Sequence, residues 1–181
     1  MSRLGIFVDR KTLSSAEQLT ALIHCRDVAE AMGHDVDFIF PVDIPKIPKM
    51  DALFIRARTD PMNVTYVAAR MAAFHNIPVI EDTAQAAGGR LHGRHLGSIG
   101  AIGTFSFDAV KTMTTGEGGM CITSDPNLWQ RMSEYQDHGH DHVPNPGGRG
   151  GEGRPFIGFN YRMMEIQGAI GLAQLAKLDG I

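Results

Sequence analysis

Two cysteines, a single tryptophan and a formal charge of only −3 are what this 181-residue chain has little of. Cys25 and Cys121 are too few and too distant to form a disulfide framework, so reduced, buried thiols in the cytoplasm are the expectation. The near-neutral charge supplies no field for a nucleic-acid partner or an acidic membrane surface. No apolar run approaches the length needed to span a bilayer. Arg3, Asp9, Arg10 and Lys11 interrupt any apolar core of signal-peptide form, and no internal repeat is evident. What is present is the balance of a globular protein: 43% hydrophobic and 20% charged residues, in a chain long enough for one domain or two small ones.

Periodicity gives the organisation. Residues 4–8 read as a short buried strand. A helix capped by Ser14 or Ser15 then runs to Met32, with Leu22, Cys25, Ala29 and Met32 on one face and Gly33 ending it. Residues 36–40 read as a second strand, and Pro41, Pro45 and Pro48 break the following stretch into an extended loop. Further strands are expected at 52–57 and 78–80, with a helix at 63–74 between them. Residues 83–87 read as the first turns of a helix, and 102–107 and 120–123 as strands around a glycine turn. Asp125-Pro126 opens a helix to Gln136. A loop rich in His, Gly and Pro follows over 137–153. The last helix, 164–178, is apolar on two faces and is expected to be buried, against a second subunit. Such alternation predicts an α/β fold, a parallel-type sheet with covering helices.

One stretch carries the chemistry. Phe105-Ser-Phe-Asp-Ala-Val-Lys111 is followed by Thr114-Thr-Gly-Glu-Gly-Gly119. A lysine just beyond an apolar strand, ahead of glycines that let backbone pass close to a ligand, suits an amine that meets a bound aldehyde. A surface lysine is the bland alternative. In Ile80-Glu-Asp-Thr-Ala-Gln85, Asp82 lies at the carboxyl end of an expected parallel strand, where ligands gather in open sheets. It serves there either as a carboxylate for a heterocyclic nitrogen or as the cap of the next helix. Gln85 would share its face if that helix has begun. Asp137-His-Gly-His-Asp-His142 offers imidazole and carboxylate, but with no cysteine or second His cluster nearby no metal is expected.

These segments, with Gly158-Phe-Asn-Tyr-Arg-Met163, resemble the DegT/StrS-type sugar aminotransferases, the likeness running over residues 77–181. The resemblance implies a partial fold-type I aminotransferase large domain and pyridoxal 5'-phosphate as cofactor. Lys111 would be the Schiff-base residue, Asp82 the partner of the ring nitrogen, Gln85 of the ring hydroxyl and Ser106 of the phosphate. Asn160 would reach the partner subunit's phosphate in a homodimer, and Tyr161, Arg162 and His138 would lie near the substrate. A keto sugar and an amino-acid donor would be the substrates, for cell-surface polysaccharide biosynthesis. Phe107-Asp-Ala-Val-Lys111 together with the His-rich loop resembles the branch that acts on 8-oxo-octulosonate to form 8-amino-3,8-dideoxy-octulosonate; a nucleotide-linked keto sugar is the close alternative.

Residues 1–76 do not resemble the start of that family. Leu4-Gly-Ile-Phe-Val8 and Phe54-Ile-Arg-Ala-Arg-Thr-Asp-Pro61 instead resemble the domain that precedes the catalytic region of ATP-grasp ligases. The expected division is thus a Rossmann-like segment, 1–76, and a partial aminotransferase domain, 77–181, in a truncated or hybrid chain. The resembled enzymes are about twice as long and cup the phosphate on an earlier helix start, for which Arg58-Thr59-Asp60 is a poor substitute. An ATP-grasp ligase fragment and a non-catalytic fragment are the rival readings.

Overall fold

A computed structural model describes residues 1–9, 13–56, 64–143 and 153–180. They form two compact units, Met1–Asp82 with Arg90–Gly103, and Thr83–Gly89 with Thr104–Ile181. The seam expected near Ile77 concerned the origin of the segments; compactness draws its line elsewhere, keeping the strand after Ile77 with the first 76 residues.

In the first unit, β1 (Arg3–Val8), β2 (Asp35–Ile39), β3 (Ala52–Arg56) and β4 (Val79–Asp82) lie in the order β2-β1-β3-β4. All three of these pairings are parallel. A parallel sheet must be covered on both faces, and strand alternation supplies two apolar sets. Phe7, Leu53, Ile55 and Val79 pack on one side with Ala68 and Ala72 of α2 (Val64–Phe74). Ile6 and Val8 pack on the other with Leu22 of α1 (Ala16–Ala31). The Ser15 hydroxyl accepts the Gln18 amide at 3.3 Å and starts α1; Gly33, at φ 87°, ends it. Of the face expected to bury, only Leu22 is fully covered; Met32 is exposed. Both cysteines are exposed rather than buried: Leu22 is the one residue of α1 that is buried, and Cys121 lies on a strand of which no residue is buried.

The proline-rich stretch is not extended. Pro41–Lys49 winds as a 3-10 helix with Ile47 buried against the sheet. Pro41 takes its first position, where no amide is needed, and the Asp43 carboxylate accepts the Phe40 amide at 3.3 Å and pairs with Lys46 at 2.8 Å. Ala57 and Asn63, the outer ends of the expected third strand and second helix, and Arg58 to Asp60 lie outside the described residues.

A hairpin that the periodicity missed, β5 (Arg90–Leu91) with β6 (Arg94–His95), turns at His92 and Gly93. Both turn residues have positive φ, 48° and 80°, as a tight two-residue hairpin turn needs. The chain beyond it is held by one carboxylate. Glu81 accepts the amides of Gly97 at 2.8 Å, of Ile99 at 2.7 Å and of Gly100. A side chain on Gly103 would start 2.0 Å from the Gly97 carbonyl oxygen, so this loop tolerates no Cβ there.

The second unit contains β7 (Ile102–Ser106, its first residues counted in the first unit) beside β8 (Gly119–Ile122), and α3 (Pro126–Gln136) and α4 (Glu165–Leu175). Asp125 caps α3, accepting the Asn127 amide at 2.8 Å and the Leu128 amide at 3.3 Å. Residues 83–87 form no helix. Ala86 donates to the Thr83 carbonyl and Gly89 to that of Ala86, giving successive tight turns, and a small-residue run ending in two glycines has little reason to continue as a helix. The last helix is also not buried: it has no buried residue, with Ile166 66% and Leu172 72% exposed. Its apolar faces outrun what one copy of the chain packs against them. No helix among the described residues is long and apolar enough to cross a membrane.

Replacing Glu81 by Ala removes one acceptor from three amides and is expected to cost about 3 kcal/mol, seen as a lower urea midpoint. Glu81→Gln, which keeps an acceptor oxygen, is expected to lose less.

Candidate functional site

The chain beyond β7 folds back on Phe107. Its amide donates to the Gly118 carbonyl at 2.9 Å, and its carbonyl accepts the Thr115 amide at 2.9 Å and the Thr114 hydroxyl at 3.2 Å. Residues 108–114 are thereby forced into a short excursion. Within it the Lys111 amide donates to the Asp108 carbonyl at 3.0 Å, and the Ser106 hydroxyl accepts the Asp108 amide at 3.4 Å. Ser106 and Lys111, five residues apart, therefore stand at the two ends of one turn. Lys111 is half-buried. Gly116 and Gly118 take φ of 83° and 144°, which side-chain-bearing residues rarely adopt, so the glycine cluster is a conformational requirement.

The return limb of this loop is tied to α4. Glu117 offers its carbonyl to the Gln167 side-chain amide at 2.8 Å, while Gln167 also accepts the Met164 amide at 2.9 Å. Glu117 acts here through its backbone.

Asp82 ends β4, at the carboxyl end of the parallel strands, as expected. Because turns follow it, helix capping is not its role. Its carboxylate faces Arg56 of β3 at 3.5 Å, a partner the sequence did not suggest. With the two side chains 30% and 43% exposed, that ion pair is worth no more than about 1 kcal/mol. Gln85 lies in the turns after β4, exposed, and not on a helical face shared with Asp82.

Asn160, Tyr161, Arg162 and His138 gather at the carboxyl end of α3. The amides of Phe159 and Tyr161 donate to the carbonyls of Tyr135 and Gln136 at 2.9 and 2.8 Å, and Asn160 forms an antiparallel bridge with Asp137. The backbones touch so closely that a Cβ on Gly158 would lie 2.2 Å from the Gly139 nitrogen. Tyr135 meets Phe159 edge-on at 5.6 Å, and Phe159 stacks on Tyr161 at 5.4 Å.

Asp137, which the sequence reading passed over except as a possible metal ligand, is the hub. Its carboxylate accepts from Arg162, lies 3.3 Å from His138 Nδ1 and 3.8 Å from His142 Nε2. Burial alone would raise this carboxyl, but hydrogen bonds from His138 and Arg162, with the Arg162 charge and that of His140, hold it below the usual carboxylate range. Arg162 and His138 are thus engaged with Asp137, though a guanidinium retains further donors. Among the described residues no group of three or more His, Cys, Asp or Glu is placed to hold a metal ion.

This lysine turn, glycine loop and Asn-Tyr-Arg segment match by sequence the DegT/DnrJ/EryC1/StrS aminotransferase family over residues 61–181, and the chain belongs to it. The match reaches further back than residue 77. Over 109 residues the chain is 47% identical to GDP-perosamine synthase of Caulobacter vibrioides, covering 60% of this chain and 28% of that protein. Similarity to the L-glutamine:2-deoxy-scyllo-inosose aminotransferase of Micromonospora echinospora is 39% identity over 60% of this chain and 27% of that one. Among solved structures, the aminotransferase from Psychrobacter cryohalolentis superposes with a TM-score of 0.68 at 28% identity, over 97% of this chain and 46% of that one. Helicobacter pylori PseC shares the fold, with a TM-score of 0.69 at 22% identity over 98% of this chain and 47% of that one. The fold likeness therefore takes in the first 76 residues too, while the chain spans under half the length of these relatives.

Any side chain at position 158 must push the two backbones apart, so Gly158→Ala is expected to destabilise the second unit by more than about 2 kcal/mol in chemical unfolding. Since the folded state lowers the Asp137 carboxyl, the stability it contributes is present above the ordinary carboxylate value of about 3.9 and is lost as pH falls through the lowered one. The difference in unfolding free energy between wild type and Asp137→Asn is therefore expected to shrink as pH falls through that range.

Proposed function

We propose that this chain carries the coenzyme-binding core of a pyridoxal-phosphate-dependent sugar aminotransferase, with a nucleotide-linked keto sugar as acceptor and an amino acid as donor. The observation that carries it is the turn with Ser106 and Lys111 at its two ends, inside a segment that belongs to the aminotransferase family. The donor set fits the cofactor in kind. Lys111 supplies an amine for the aldehyde and Asp82 an anion for the ring nitrogen. Gln85 supplies an amide for the ring hydroxyl, and the Ser106 hydroxyl, which accepts a long bond from the Asp108 amide, has its own proton to offer the phosphate. Once bound, the cofactor would supply an electron sink for the bond broken at the amino-bearing carbon.

The protein's own residues do the rest. Asp82 exchanges its weak pairing with Arg56 for the ring nitrogen and so keeps a proton there. Lys111 Nζ carries a proton between neighbouring carbons, the half-buried setting limiting access by water. Asn160 serves the phosphate of a partner subunit. The exposed apolar faces of α4 are consistent with a homodimer in which they are covered. Tyr161, Arg162 and His138 would lie near the sugar. The relative whose name begins with GDP favours a nucleotide-linked sugar over the 8-oxo-octulosonate expected as the source of 8-amino-3,8-dideoxy-octulosonate. Such amino sugars serve cell-surface polysaccharides, a cytoplasmic task.

Wild type purified with pyridoxal phosphate is expected to show a visible band that borohydride abolishes, and Lys111→Ala to show none. A wild-type protein without that band would defeat the reading and favour a ligase-type or non-catalytic fragment.

A further inference from the structure

We propose that Asp137 is a positioning residue for Asn160, its carboxylate holding the Asn160-Tyr161-Arg162 segment through Arg162. This rests on the reading above for what Asn160 does, and on geometry alone for how Asn160 is held. Asp137 stands opposite Asn160 in a bridge whose hydrogen bonds are made by its neighbours, the His138 amide to the Phe159 carbonyl at 3.0 Å and the Tyr161 amide to the Gln136 carbonyl at 2.8 Å. Its carboxylate adds a side-chain hold, binding the guanidinium of Arg162 two residues beyond Asn160. In an extended segment residues two apart share a face, so Arg162 lies on the side of Asn160, while Phe159 and Tyr161 stack together on the other. The ion pair therefore restrains the face that presents Asn160. The Asn160 side is exposed, so burial does not hold it instead.

The carboxylate is suited to that role. Its side chain is only 19% exposed, against 48% for Arg162, so the attraction is screened less than in a surface pair. His138 Nδ1 lies 3.3 Å from the Asp137 carboxylate and 3.1 Å from Arg162 Nη1, so the imidazole sits against both partners of the ion pair. His142 Nε2 lies 3.8 Å from the same carboxylate.

The test uses the full chain and reads the segment directly. Backbone amide exchange at Phe159 and Tyr161 is followed by NMR in wild type, Asp137→Asn, Arg162→Met and the double variant, with amides of α3 and β1 as internal references. Each single variant is expected to speed exchange at Tyr161 about tenfold, with the reference amides unchanged and the double variant no worse than either single. The Asn160 side-chain amide resonance is then followed during titration with pyridoxal phosphate. Its response is expected to weaken at least about fivefold in Asp137→Asn, while the borohydride-sensitive band at saturating cofactor persists. A merely structural loss would move the reference amides and the band together. Native exchange at Tyr161 and a native Asn160 response in both single variants would overturn the proposal. If Asp137→Asn does not fold, Arg162→Met alone decides it. A wild type that forms no visible band removes the aminotransferase reading but leaves the exchange result to decide whether Asp137 positions the segment.

Discussion

A parallel strand cannot be left bare on either face, and that constraint organises the first unit. The alternation of Ile6 and Val8 against Phe7 sends apolar side chains to both sides of β1, and each side then requires a helix. Meeting it aligns the strand ends, so that Arg56 and Asp82 finish β3 and β4 as paired charges. Carboxyl ends of parallel strands are where an α/β sheet leaves room for a ligand. The fold thus delivers a carboxylate to that edge before any question of chemistry arises.

The second unit works by backbone closure rather than by a deep core. Phe107 gathers three hydrogen bonds from its own loop, and the return limb is fixed to α4 through Gln167. At the far end of α3, Gly139 and Gly158 let two stretches of chain approach where no side chain fits, and Asp137 supplies the charge that orders residues 160–162. Strict glycine positions and the Asp137 carboxylate do here what bulk packing does in the first unit.

Legibility tracked the range of the forces involved. Strands β1 to β4, the Ser15 and Asp125 caps and the Pro126 start were readable because each depends on neighbours within a turn or two. The Arg90–His95 hairpin was missed although Leu91-His-Gly-Arg94 carries a turn signal, His being tolerant of positive φ and Gly indifferent to it. The 3-10 helix from Pro41 was missed because prolines were read as breakers, whereas at a helix start their absent amide costs nothing. The helix expected after Asp82 failed because a short run of small residues has too little to bury.

The sequence by itself determined the family and the lysine segment with its glycine turn, since these stem from local order and chemistry. Tertiary structure decided which charges stand together. Arg56 with Asp82, Glu81 with the amides of 97–100, and Asp137 with Arg162 are separated by many residues along the chain. Pairing at that separation depends on where strands and helices end in space, which no local pattern encodes.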